Sequence, residues 1–252
     1  MPTTDTAWPD GTPCWVDYTA PDPDAARAFY SRLFGWEFVG GLPEYGGYDN
    51  ALLAGRPAAG LVPRMSDSQP ASWTTYFATS DATAAAARIT EAGGTVVFPP
   101  MQVADLGTMV VAVGPQGEEF GLWQAGEHTG VRVFNEPGSL VWNEAAVEDP
   151  DAARTFYTSV LGFAYNAVEG VEGYTTFRTG DRPLGGLGAA QPGLPTGWTT
   201  CFSVASTDET AAAVESSGGK LVAGPFDMEF GRYAVLEDPW GASFTVMQEP
   251  AG

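Results

Sequence analysis

The chain has 252 residues, 44% of them hydrophobic, and carries 31 acidic against 11 basic side chains for a formal net charge of -20. Such a charge repels phosphate backbones and anionic membrane surfaces, and no basic stripe offers a local exception, so nucleic acid and membrane partners are set aside. No apolar run approaches the roughly 20 residues that span a bilayer, the N-terminus lacks a charged-then-apolar signal, and Cys14 and Cys201 have no partner motif, which together suggest a cytoplasmic protein with buried thiols.

Residues 1–10 read as a tail, and CWVDYT (Cys14 to Thr19) as a short apolar-rich strand. Asp22 can cap the helix that follows, with Pro23 at its first position, where a missing N–H costs nothing. Ala26, Phe29, Tyr30 and Leu33 fall at i, i+3, i+4 and i+7 and make one buried stripe. A Gly-bearing turn leads through Tyr48, Arg56-Pro57 and Gly60-Leu61 to Trp73-Thr74-Thr75. A second helix starts near Ser80-Asp81, places Ala82, Ala85, Ala86, Ile89 and Ala92 on one face, and stops at Gly93-Gly94. Strands containing TMVVAV and FGLW lead to Gln124, and the segment AGEHTGVRVFNEP (Ala125 to Pro137) continues as an extended strap.

From Ser139 the chain restates itself. DPDAARxFY recurs, pairing Asp22 with Asp149, Arg27 with Arg154, Phe29 with Phe156 and Tyr30 with Tyr157. The match runs on through Tyr174, Arg182-Pro183, Gly186-Leu187, Trp198-Thr199-Thr200, Gly218-Gly219 and Gln248. Two homologous modules result, 11–124 and 138–248, joined by a linker at 125–137 and followed by a tail at 249–252. Each reads as strand, helix and strands, twice over. The fold expected is α+β, with four βαβββ-type units forming paired curved mixed sheets around a cleft.

These units, with FY on the first helix, GG after the second and a closing turn (Gly114 to Gly117, GPQG; Asp238 to Gly241, DPWG), resemble the vicinal oxygen chelate superfamily. That group includes glyoxalase I, extradiol dioxygenases, fosfomycin-modifying enzymes and bleomycin-binding resistance proteins. The stretches WVD, GLWQ and VWNE are most similar to two-module, glyoxalase-like proteins of actinobacteria. The resemblance covers nearly the whole chain and implies the tandem fold. It also places the metal-ligand positions of metal-dependent relatives on Trp15, Thr74 and Gly121 in one module and Trp142, Thr199 and Thr245 in the other. None of these offers the imidazole, thiolate or carboxylate that a divalent ion needs. The sole histidine, His128, lies in the linker, where it reads as a loop contact. No metal and no cofactor are expected.

Aromatic surface and carboxylate stand in their place. Strand alternation puts Asp17 and Thr19 on the face of Trp15, and Glu144 on the face of Trp142. Trp123 shares a face with Gly121, and Glu119 reaches the mouth. Asp17 and Glu144 have two readings. They are hydrogen-bonded residues that hold the modules together, or burial among indoles raises a pKa to give an acid/base catalyst or a cation anchor. Trp15, Trp142 and Trp123 are candidate stacking surfaces, lined by Thr19, Thr74, Thr199 and Thr245. Trp73 and Trp198 read as core, Asn143 as structural, and GGLG (Gly185 to Gly188) as a bend between strands.

Two functions remain open. One is a metal-independent, glyoxalase-like enzyme performing a lyase, isomerase or cyclase step on a small natural-product molecule, with a cleft carboxylate as acid/base. The other is a non-catalytic protein that sequesters an antibiotic, in the manner of bleomycin resistance. Either way the partner is a small molecule, aromatic or cationic. The modules are expected to pair edge to edge within one chain, bringing Trp15 near Trp142. A monomer is expected, with a homodimer as the alternative.

Overall fold

A computed structural model describes residues 5–42 and 45–250. β1 (Pro13–Ala20) is buried along its whole length. α1 (Pro23–Phe34) follows, its Asp22 cap accepting from the Ala25 N–H and its end closed by Gly35 in the left-handed conformation. Next come β2 (Glu37–Gly40), β3 (Asp49–Leu53), β4 (Arg56–Pro63), β5 (Ser72–Ala78), α2 (Ala82–Glu91), β6 (Thr95–Val103), β7 (Gly107–Val113) and β8 (Glu119–Ala125). The second module repeats the order as β9 (Leu140–Val147), α3 (Pro150–Leu161), β10 (Ala164–Ala167), β11 (Thr175–Arg178), β12 (Gly185–Ala189), β13 (Gly197–Ser203), α4 (Thr207–Ser216), β14 (Lys220–Met228), β15 (Gly231–Glu237) and β16 (Ser243–Gln248). GGLG is therefore strand, not bend, and runs parallel to β9.

Each module completes its own eight-stranded mixed sheet, in the orders β2-β3-β4-β1-β5-β8-β7-β6 and β10-β11-β12-β9-β13-β16-β15-β14. The central strands β1 and β9 thus lie where both sequence repeats placed them. Residues of odd number on β1 face away from the helices, while Val16 and Tyr18 face the core beneath α1, as the ring contact of Tyr18 with Tyr30 at 5.0 Å shows.

The edge-to-edge pairing is corrected. Among the described residues no strand pair joins the two sheets; the modules meet through their helix-bearing faces, with β5 against β13, α2 against α3 and α1 against α4. Two cores result, each shared between modules. In one, Phe34 and Trp73 pack on Phe202 at 4.7 and 5.1 Å; in the other, Phe77 meets Trp198 at 4.8 Å and Phe120 meets Tyr157 at 5.5 Å. The repeated tyrosine of the FY pair explains itself here. Tyr30 accepts from Trp73 Nε1 (3.1 Å) and donates to Asp238 Oδ2 in the other module's closing turn (2.8 Å). Tyr157 likewise accepts from Trp198 (2.8 Å), and its pKa is raised by burial and by the charge of Glu118 in the other closing turn. Thr75 donates to Asn143 across the same interface (2.9 Å), the structural place expected for Asn143.

The segments outside the modules are held down. Trp8 packs edge-on against Phe134 at 5.2 Å and donates to the Val131 carbonyl, while the Val131 and Arg132 N–H groups bond the carbonyls of Cys14 and Pro57. No helix among the described residues is long and apolar enough to cross a membrane.

Candidate functional site

On the first module's helix-free face, Trp15, Asp17 and Thr19 stand in a row on β1, opposite Tyr76, Thr74 and Ser72 of β5. Trp15 Nε1 donates to the Tyr48 hydroxyl at 2.7 Å, and Tyr48 lies 3.5 Å from Asp17 Oδ2 as donor. Gly60 makes this relay fit, because a Cβ there would stand 1.9 Å from the Tyr48 hydroxyl oxygen. Asp17 is only 7% exposed. Burial raises its pKa to about 7; hydrogen bonds from Tyr76 and Tyr48 offset part of the rise and the Glu119 charge adds to it. Glu119, at the mouth, accepts from Thr74 at 3.4 Å, and its own pKa is raised by partial burial.

His128, in the linker loop, lies against this cleft. Its ring lies edge-on to Trp15 at 4.4 Å and to Trp123 at 5.7 Å. Its carbonyl accepts from Trp123 Nε1, and its Nδ1 accepts from the Gly130 N–H at 2.9 Å, which places the imidazole proton on Nε2. Burial pushes its pKa down to about 4, so the ring is neutral at pH 7.

The second module builds the same relay with different surroundings. Trp142 Nε1 donates to Tyr174 (3.4 Å), Tyr174 donates to Glu144 Oε2 (3.1 Å), and Tyr233 donates to Glu144 Oε1 (2.7 Å). Gly186 lies under the phenol as Gly60 does; a Cβ would fall 1.8 Å from the Tyr174 hydroxyl. Thr199 stands opposite Glu144, and Cys201 stands between Trp142 and Thr245. Burial pushes the Cys201 thiol up to about 12, so it stays protonated at neutral pH. None of the ion pairs among the described residues involves Asp17, Glu119 or Glu144.

The structure thus gathers Trp15, Asp17, Thr19, Thr74, Glu119 and Trp123 on one face, and Trp142, Glu144, Thr199 and Thr245 on its counterpart. The register moves one assignment: the β5 residue level with Trp15 and Gly121 is Tyr76, not Thr74, and the β13 residue level with Trp142 and Thr245 is Cys201, not Thr199. Tyr48 and Tyr174 were missed as site residues although the repeat aligns them, and the glycines at 60 and 186 were the signal. Tyr76 and Cys201 hold matching positions of the repeat but differ in residue type, as Tyr233 differs from Met109, so the repeat did not single them out.

A model described as Glyoxalase/Bleomycin resistance protein/Dioxygenase superfamily matches residues 139–246, and one described as Glyoxalase-like domain matches residues 14–123. CFP32 of Mycobacterium tuberculosis (strain CDC 1551 / Oshkosh), which carries the provisional name of glyoxylase, is 38% identical over 247 residues, covering 94% of this chain and 95% of that one. The chain belongs to this superfamily. Another member, the anthracycline biosynthesis protein DauV of Streptomyces sp. (strain C5), is 36% identical over 266 residues, covering 96% of this chain and 95% of its own. Two solved structures share the fold: a Mn(II)-bound glyoxalase from Novosphingobium aromaticivorans (TM-score 0.66, 19% identity, 96% of this chain and 83% of that one) and the 2,3-dioxygenase LapB from Pseudomonas sp. KL28 (0.65, 14%, 98% and 96%).

A bound metal, as in that glyoxalase, does not fit the residues present here. In the first module the Tyr76 ring fills the space over Gly121, where a Cβ would stand 2.1 Å from the ring. In the second, the row offers an indole, a protonated thiol and a hydroxyl, and Glu144 already accepts from two phenols. Among the described residues no three of His, Cys, Asp and Glu converge. A divalent ion needs several such donors at about 2 Å.

Proposed function

We propose that this protein is a metal-independent enzyme of the cytoplasm that moves a proton on a small organic molecule during a lyase, isomerase or cyclase step of natural-product metabolism. The observation that carries the reading is Asp17, a buried carboxyl with no cationic partner among the described residues whose pKa is brought to about 7, near the value at which a side chain both takes and gives protons at neutral pH. Trp15 and Tyr48 hold it in place, and the thiols of Cys14 and Cys201 are buried. The name of the Streptomyces relative supports natural-product metabolism and supplies compounds to try.

Asp17→Asn keeps shape and hydrogen bonding but removes the base. Turnover of an accepted compound should fall by roughly two to four powers of ten with little change in affinity. In the wild type, kcat/KM should rise with pH through about 7, as Asp17 ionises, and that limb should vanish in the variant. Incubation with anthracyclines, followed by mass spectrometry, supplies the readout. Unchanged compounds after hours at stoichiometric protein would sink the enzyme reading, as would activity that disappears on chelation and returns with a divalent ion.

Sequestration is the second reading. The half-open second cleft favours it, since Phe226 and Met228 leave 52% and 50% of their surface in solvent, Phe226 beside Tyr233, which bonds Glu144. Binding without conversion would select it.

A further inference from the structure

The second cleft contains more apolar surface and more unneutralised charge than the fold requires. Phe226 of β14 pairs directly with Tyr233 of β15, and Tyr233 points at Glu144, so Phe226 shares the cleft face. Met228, two residues on, shares it too, while Asp227 between them faces the other way and bonds Arg232. Phe226 and Met228 are among the most exposed large apolar residues of the described chain. Across the sheet from them stand Trp142 and Tyr174, both half-buried. A flat apolar body entering here would cover aromatic rings that now face water.

At the floor lies Glu144. Two phenol hydroxyls satisfy one lone pair on each carboxylate oxygen, at 2.7 and 3.1 Å, but they donate hydrogen bonds and no charge. None of the ion pairs among the described residues reaches it. The remaining lone pairs, in a cleft walled by aromatic rings, suit an N–H donor that carries a positive charge. The first cleft differs in two respects: its carboxyl is only 7% exposed, and the His128 ring lies edge-on to Trp15, where no ring contact to Trp142 is made among the described residues.

We propose that the second cleft is a binding site for an aromatic monocation, a flat ring system bearing a protonated amine, with the ammonium on Glu144 and the rings between Trp142 and the Phe226–Met228 edge. The site stands on the second module alone. It does not require Asp17 to move a proton, so it and the catalytic reading fail separately.

Isothermal titration calorimetry of the full chain with 2-naphthylmethylammonium and with its neutral counterpart 2-naphthylmethanol tests it. The ammonium should bind about tenfold or more tightly than the alcohol, and added salt should weaken only the ammonium. Glu144→Gln should raise the ammonium's Kd about tenfold or more and leave the alcohol's unchanged, the latter showing that the cleft is intact. Phe226→Ala should weaken both probes. Equal affinity of the two probes, no binding of either, or ammonium binding indifferent to Glu144→Gln overturns the proposal. Should the Gln variant fail to fold, the comparison of the two probes on the wild type decides alone.

Discussion

Asp17 and His128 flank Trp15, and burial drives their protonation in ways that oppose each other energetically. The Asp17 pKa rises from 3.8 to about 7, so the folded state holds a proton that the unfolded state releases, and stability should fall as pH rises between those values. The shift corresponds to an effect on the order of 4 kcal/mol, fully felt above pH 7. His128 moves from 6.5 down to about 4, so the unfolded state holds the extra proton; its contribution is complete above about 6.5 and is lost as pH falls towards 4, an effect on the order of 3 kcal/mol. The two slopes nearly cancel in the wild type. Single variants should expose them: relative to the wild type, Asp17→Asn should melt at higher temperature above pH 7 and stand level with it near pH 4. His128→Gln should do the reverse, standing nearest the wild type at neutral pH and gaining on it as pH falls towards 4. Melting curves across pH 4 to 8 check both, and differences from the wild type that do not change with pH would refute the burial argument.

Among the elements, β4 and β12 decide the shape of the clefts because each carries a glycine where a phenol must lie flat on the strand. Gly186→Ala would press a methyl group into the Tyr174 hydroxyl, 1.8 Å away, so the ring must swing off Glu144 and Trp142. We expect a loss of about 1–3 kcal/mol in stability and a changed Trp142 emission, whereas Gly180→Ala, with open space around it, should show neither. Calorimetry and fluorescence of the two variants decide; equal behaviour would mean that the phenol is not seated as described. The same elements show what the sequence made legible. Helix caps at Asp22, Asp81 and Asp149 were readable because a cap is settled by residues within one turn. The odd-even alternation of β1 likewise placed Trp15, Asp17 and Thr19 together. Which residue of β5 stands level with Trp15 was not readable, because it depends on a register shift between Pro13 and Trp15 and on pairing across a distant loop. GGLG escaped as a strand for a related reason: glycine is a poor strand former alone, and only the ring of Tyr174 packed on it makes sense of the composition.

For the whole molecule, the repeat announced two modules, and the shared cores show why they come as one chain. Phe202 and Phe244 of the second module complete the core around Tyr30, Phe34 and Trp73 of the first, and Phe77 and Phe120 of the first complete that around Tyr157 and Trp198. Each closing-turn carboxylate, Asp238 or Glu118, is buried against a tyrosine of the opposite module. A module alone would turn these rings to water and leave the tyrosine and the carboxylate without each other, a loss far larger than the few kcal/mol by which domains are usually stable. A covalent linker keeps the missing half at high effective concentration, which matters for a chain whose formal charge of -20 makes two separate halves repel each other. Cutting between His128 and Val131 tests this. Residues 1–129 and 130–252, expressed apart, should show no cooperative melting as monomers, and mixing them should restore a one-to-one complex whose association tightens as salt screens the repulsion. Either half folding cooperatively as a monomer in sedimentation and calorimetry would show that the cores are separable, and the face-to-face packing would then be a contact between independent domains.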